Sequence, residues 1–167
     1  QVARLLKAPV ALVVDAKGMA GSIAPLALGF RDFHPGVRVV GVFANRVGSE
    51  RHAEILKEAL KAVGLPLLGW LPQDPALELP ERHLGLVSAQ ELPDGLARLD
   101  AAADALAQTP LGQMRLADWQ ARWSVDFAAP AATVAPTPAL LQGRTVAVAR
   151  DVAFSFIYPA NIDCLRQ

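Results

Sequence analysis

The sequence predicts an α/β fold: a parallel sheet with flanking helices, followed by a linker and the start of a second α/β domain. Apolar runs that do not alternate occupy Pro9 to Asp15, Val37 to Arg46 and Leu67 to Pro72. That is the pattern of strands buried on both faces, as in a parallel sheet. A segment with helical spacing separates each run from the next. The runs end on Asp15, on Asn45 with Arg46, and on the Pro72-Gln73-Asp74 loop. Open parallel sheets bind ligands outside the carboxyl ends of their strands, so these endings form the candidate functional edge.

The elements follow in order. Gln1 to Lys7 has helical spacing at Val2, Leu5 and Leu6 and runs straight into the first strand, so the chain is expected to begin inside an element. After that strand, Ser22 is placed to cap a helix reaching about Phe33, with Ile23, Leu26, Ala27 and Phe30 toward the sheet and Pro35-Gly36 as its stop. The second strand, Val37 to Ala44, leads to Ser49, an N-cap with Glu50 and Glu54 in the first turns, where carboxylates suit the helix dipole. Leu56, Ala59, Leu60 and Val63 form the apolar stripe of that helix, and Gly64 and Pro66 end it before the third strand. Right-handed crossovers then align the carboxyl ends of all these strands in one sheet.

From Asp74 to Gly85 periodicity is lost in a loop rich in charge and proline. Loops of that length without regular structure are often functional. A helix from about Gln90 to Gln108 follows, with Leu92, Leu96, Leu99, Ala103 and Leu106 on one face, and Met114, Leu116, Trp119 and Trp123 suggest a shorter one. The Ala/Pro-rich stretch between Ser124 and Gly143 favours extended backbone and reads as an interdomain linker. Beyond it, Arg144 to Ala149 reads as a strand, with a helix from Pro159 to Gln167.

Composition excludes some function classes. With 16 basic and 16 acidic side chains in 167 residues, the formal charge is zero and gives no electrostatic footprint for nucleic acid. Apolar runs stop well short of the roughly 20 residues a membrane span requires, so no membrane association is expected. The lone cysteine, Cys164, excludes an internal disulfide framework and a cysteine-based zinc site, and it reads as a packing thiol. A soluble, cytoplasmic protein fits this pattern.

Several side chains at the edge carry chemistry. Asp15 reads either as a catalytic or substrate-orienting carboxylate or as a helix N-terminal cap partner that accepts turn amides. Lys17 and Gly18 do not complete a phosphate loop, because Gly-x-x-x-x-Gly-Lys-[Ser/Thr] is absent. Gly18, Gly21 and Ser22 still leave backbone amides at a helix start, which suit phosphate or carboxylate. Asn45 offers an acceptor and a donor side by side, a match for adenine, although a strand-end Asn is also a common turn former. Arg46 could touch a nucleotide or form a surface ion pair. In the long loop, Arg82 and His83 could bind an anion, and the imidazole could do acid/base work or serve as a structural hydrogen-bonder.

Four ordered stretches carry a family resemblance: Pro9 to Phe30; Gly41-Val-Phe-Ala-Asn-Arg-Val-Gly-Ser-Glu-Arg-His52; Leu79-Pro-Glu-Arg-His-Leu-Gly-Leu86; and Val146 to Asn161. In this order they resemble the cobyrinic acid a,c-diamide synthases, called hydrogenobyrinic acid a,c-diamide synthases in the aerobic cobalamin route. The resemblance implies a two-domain amidoligase. Residues 1–123 would be the later part of an ATP-dependent synthetase domain with a dethiobiotin-synthetase-like P-loop fold, here lacking its P-loop portion. Residues 124–143 would be the linker, and 144–167 the beginning of a class I glutamine amidotransferase domain. ATP with Mg2+ would phosphorylate carboxylates of a corrinoid substrate, and ammonia from glutamine would displace the phosphate.

The family's phosphate-gripping lysine and acidic metal-binding residues would lie upstream, and its glutaminase cysteine and histidine downstream. No catalytic or metal-ligating role therefore passes to a residue of this chain, and the 167 residues alone are expected to be inactive. The resemblance makes Asn45 the adenine reader with Arg46 and Pro72 beside the base. It brings Asp15, Lys17, Gly18 and Ser22, with Arg82 and His83, toward phosphate or substrate. A nickel-sirohydrochlorin amidase, a cobyric acid synthase, or a noncatalytic binding or assembly module are the competing readings. The open edge of a three-stranded sheet also invites pairing between chains, so a homodimer is among the expectations.

Overall fold

The computed structural model describes residues 2–78, 81–82, 85–86, 92, 94–126, 138, 140–151, 153–154 and 156–166. The chain divides into two compact units, Gln1–Phe127 and Ala128–Gln167.

The first unit opens with a short helix, α1 (Val2–Leu5), and is built on β1 (Pro9–Asp15), β2 (Arg38–Val47) and β3 (Leu67–Pro72). The strands run parallel in the order β1-β2-β3. Helices α2 (Ile23–Asp32) and α3 (Glu50–Ala62) make the crossovers. Ile23 and Ala27 of α2 and Ala53, Leu56 and Leu60 of α3 share one core with Val14, Val42, Ala44 and Val47 of the sheet. Arg31, near the end of α2, donates from Nη1 to the carbonyl of Val63 at 2.7 Å, satisfying a carbonyl at the carboxyl end of α3. Gly64 ends α3 at φ 72°, a left-handed conformation that glycine adopts without steric cost.

The other sheet face is covered only in part. Phe43 and Gly69 meet Thr109, which follows α4 (Gly95–Ala107), and Phe43 and Thr109 are both buried. Val13 on β1 is 72% exposed, so β1 is not buried on both faces as its unbroken apolar run predicts. The physical reason is local: among the described residues, the segment after α4 lies over β2 and β3 and nothing lies over β1.

Other expectations need correction. Ser22 makes no capping hydrogen bond, because its backbone is helical (φ −64°, ψ −15°) and an N-cap needs an extended residue to turn its oxygen back onto the first turn. Phe30 is exposed, so the buried face of α2 ends at Ala27. Leu96 and Leu99 of α4 are exposed as well, although their spacing predicts a buried face. The charged loop is not wholly irregular: Asp74 caps a 3-10 turn at Pro75–Leu77 by accepting from the Ala76 amide at 2.9 Å. Two strands of two residues each then pair antiparallel, β4 (Glu81–Arg82) against β5 (Gly85–Leu86). The shorter helix appears as α5 (Leu116–Trp123), with Trp119 and Trp123 edge-to-face at 4.6 Å.

In the second unit, α6 (Pro159–Arg166) forms as expected, but Arg144 to Ala149 is not a strand. A strand is stabilised by its ladder, and these residues have no described neighbour to pair with. Asp151 instead organises a turn, its Oδ1 accepting from the amides of Ala153 and Phe154 at 2.8 and 3.0 Å. Cys164 lies exposed on α6, so it is not a packing thiol. Among the described residues, no helix is long and apolar enough to cross a membrane.

Candidate functional site

The carboxyl edge of the sheet begins with a register. Asp15 stands opposite Asn45, and Val47 opposite Pro72. Between β2 and β3 the pairing slips: Ala44 faces Trp70, yet the next pair is Val47 with Pro72. Three steps on β2 match two on β3, so β2 carries a bulge at Asn45-Arg46. The strand therefore continues through residues that the sequence places in the turn after Ala44.

Arg46 sits at the bulge with φ 56°, a left-handed conformation that is uncommon for a residue with a Cβ. Bulges re-aim side chains. Here the Arg46 guanidinium reaches across to β1, where Nε donates to Asp15 Oδ1 at 2.9 Å and Nη2 donates to Asp15 Oδ2. The bulge also turns the Arg46 amide out of the ladder, and Asn45 Oδ1 accepts it at 3.0 Å. One backbone irregularity thus accounts for both side-chain positions.

Asp15 accepts a further bond from the Lys17 amide at 3.1 Å. The fork of Arg46, helped by that amide, holds its carboxyl down at about 2, below the ordinary 3.8. With side-chain exposures of 41% for Arg46 and 52% for Asp15, water screens the pair, so its role is geometric more than energetic. Of the two readings of Asp15 that the sequence leaves open, the acceptor of a turn amide is the one seen here, and the same carboxylate also holds Arg46.

Gly18 turns the chain at φ 71° after Lys17, and Ser22 follows on an exposed surface just before α2. Asp15, Lys17, Asn45 and Arg46 are joined directly by hydrogen bonds, and the Ala16 amide adds a link to the Asn45 carbonyl at 2.8 Å. Pro72 ends β3 at the same edge, exposed, and the Gln73 amide bonds the Val47 carbonyl at 3.1 Å. Arg82 lies in β4, whose partner is β5, and no described contact brings it to this edge. His83 lies outside the described residues.

Sequence reasoning missed His52. Ser49 caps α3 as expected, its Oγ accepting from the His52 amide at 3.2 Å. The His52 ring then reaches back: Nδ1 accepts from the Gly48 amide at 3.1 Å, and Nε2 lies 2.6 Å from the Met19 carbonyl. The signal was a histidine three residues after the capping serine, where a capping box carries Glu or Gln.

The arrangement offers cations, amides and one carboxamide to an anionic or nucleotide ligand. It does not fit a magnesium ion, because Asp15 is neutralised by Arg46 and no group of three metal-ligating side chains gathers among the described residues.

The chain is 47% identical over 166 residues to hydrogenobyrinate a,c-diamide synthase of Stutzerimonas stutzeri, covering 99% of this chain and 36% of that protein. It is 46% identical over 169 residues to cobyrinate a,c-diamide synthase of Gloeobacter violaceus, covering 98% and 35%. Hydrogenobyrinate a,c-diamide synthase of Pseudomonas aeruginosa is 44% identical over 169 residues, covering 99% and 36%. The chain thus spans little more than a third of the curated relatives it matches. No solved structure matches it significantly. Residues 3–87, which hold the whole sheet and every candidate site residue, match one family model, and on that match the chain belongs to the CobQ/CobB/MinD/ParA nucleotide binding domain family.

Proposed function

We propose that the chain is part of an ATP- and glutamine-dependent amidoligase that converts the a and c acetate carboxylates of cobyrinic or hydrogenobyrinic acid to amides. The observation that carries this reading is identity of 44–47% along nearly the whole chain to proteins named for that reaction. Chemically, a carboxylate is a poor acyl donor because its oxide leaves badly. Transfer of the ATP γ-phosphoryl group to the carboxylate oxygen releases ADP and gives an acyl phosphate. Ammonia, released from glutamine, then attacks the carbonyl carbon and phosphate departs with the oxygen, leaving the amide.

In this reading the carboxyl edge of the sheet takes the nucleotide. Asn45 reads adenine: Nδ2 donates to a ring nitrogen while Oδ1, with a lone pair beyond the one used by the Arg46 amide, accepts from the exocyclic amine. Arg46 and Pro72 flank the base. Lys17, Gly18 and Ser22 face the phosphates or the substrate carboxylate, with Arg82 and His83 lining the site. Asp15 serves this edge by holding Arg46. Magnesium would accompany the phosphates, liganded by groups other than these. The protein works in the cytoplasm, as a homodimer.

Full-length protein incubated with ATP, glutamine and either corrinoid tests the reading, with mass spectrometry counting the amides formed. Two amidations at a and c, each requiring ATP, are expected. Turnover of nickel-sirohydrochlorin or of an already a,c-diamidated corrinoid, with neither acid consumed, would replace this reading by one of the related tetrapyrrole amidases. No turnover of any of them would favour a noncatalytic module.

A further inference from the structure

We propose that His52 is a positioning residue that fixes the separation of the two turns at the carboxyl edge, and through it the fit of the nucleotide. The turn after β1 carries Lys17, Gly18 and Ser22, and the turn after β2 follows Asn45 and Arg46. The ladder and the Ala16 amide's bond to the Asn45 carbonyl join the two turns at their bases. The imidazole joins them farther out, at Met19 and Gly48. Because Nδ1 accepts the Gly48 N–H, it bears no proton, and the ring proton lies on Nε2, which donates to the Met19 carbonyl at 2.6 Å. One half-buried ring thus joins residues 33 apart in sequence.

Both ends of the link are themselves anchored. Met19 N bonds the Ala16 carbonyl at 2.9 Å, tying the first turn to the end of β1. The His52 backbone is held by the Ser49 cap at 3.2 Å, tying the ring to the start of α3. A change in the ring's length or donor pattern is therefore transmitted to the edge rather than absorbed. Ligand groups held on two turns need their spacing preset, because a misplacement of even an ångström weakens every contact made across the gap.

Two substitutions separate the halves of the link. In His52→Asn the side-chain oxygen falls near the position of Nδ1, keeping the Gly48 bond and losing the reach to Met19. In His52→Gln the amide nitrogen falls near Nε2, keeping the donor to Met19 and losing the bond to Gly48. The inference rests on the ATP reading only for its ligand, so two measurements are made on the full-length protein. Amide hydrogen exchange without nucleotide should quicken at residues 19–24 in His52→Ala and His52→Asn but not in His52→Gln. The KM for ATP should rise about five- to tenfold in the same two variants with kcat held, since one lost hydrogen bond acts here on ground-state binding.

Exchange unchanged in all variants, or Asn restoring it as well as Gln, would overturn the link between the turns. Altered exchange with an unchanged KM would overturn its positioning role. Failure of the wild-type protein to bind ATP would overturn the functional reading instead, and the exchange contrast would still decide the link.

Discussion

At Asn45 one carboxamide answers to two demands. Its oxygen accepts the amide that the bulge frees, and its nitrogen remains a donor at the edge of the sheet. Asn45→Asp keeps the first and removes the second, while adding a carboxylate opposite Asp15 that competes for Arg46. Folding should be little affected. In the intact enzyme, losing the donor and leaving a base nitrogen unpaired should cost roughly 1–3 kcal/mol, about one to two decades in the KM for ATP. The change should spare kcat, because base contacts persist from ground state to transition state. Steady-state kinetics with ATP and GTP check this, and unchanged constants would reduce Asn45 to a bulge-forming residue. Asp15 makes a different prediction. Its carboxyl sits at about 2 in the folded chain against an ordinary 3.8, so the folded state binds this proton less readily than the unfolded one. The stability it lends is present above about 3.8 and is lost as pH falls toward about 2. Asp15→Asn should remove that increment, so wild type and variant should converge in acid denaturation at the low end of this window. Parallel curves throughout would mean the pair contributes nothing to pH-dependent stability.

Among the elements, β2 explains what the sequence reveals and what it hides. Strands, helices and their stops were legible because each is a local pattern: unbroken apolar runs, a helical stripe at Leu56 and Leu60, and glycine after α3. The bulge was not legible, since the residue at positive φ is an arginine rather than a glycine or asparagine. Its conformation is set by pairing to two neighbours and by Asp15 on another strand. The same nonlocality hid Val13, Leu96 and Leu99, whose exposure depends on what covers them, and it made Arg144 to Ala149 read as a strand without a ladder. Asp15, Asn45 and Arg46 were found as strand endings, but their mutual bonds needed the register. Gly69 on β3 shows how tightly that register is packed. A Cβ there would lie 2.8 Å from Phe43 Cε2 and 2.9 Å from Thr109 Cβ. Gly69→Ala should therefore force Phe43 and Thr109 apart and destabilise the first unit by roughly 1–3 kcal/mol, read as a lower urea midpoint with an unchanged slope. An unchanged midpoint would show that Thr109 yields freely.

On the scale of the whole chain, the deciding feature is a parallel sheet in which β1 is an edge strand among the described residues. Among the described residues, β1 pairs only with β2, and its outer face presents Val13 at 72% exposure. An apolar strand with unpaired backbone groups is a template for another chain, and proteins guard such edges with charge. Little on this strand provides it, because the Pro9 to Val14 run carries no ionisable side chain and Asp15 at its end is paired with Arg46. Zero formal charge removes the long-range repulsion that would otherwise keep copies apart. The 167-residue chain should therefore associate with itself as concentration rises, with scattering mass increasing and little dependence on salt. Val13→Lys tests the cause: its side chain is exposed, so the fold should tolerate the change, and the added charge should oppose pairing at this edge. Light scattering on both proteins over one concentration series decides the matter. A wild-type chain that stays monomeric throughout, or a lysine variant that associates equally, would show that the open edge of β1 is not what brings copies together.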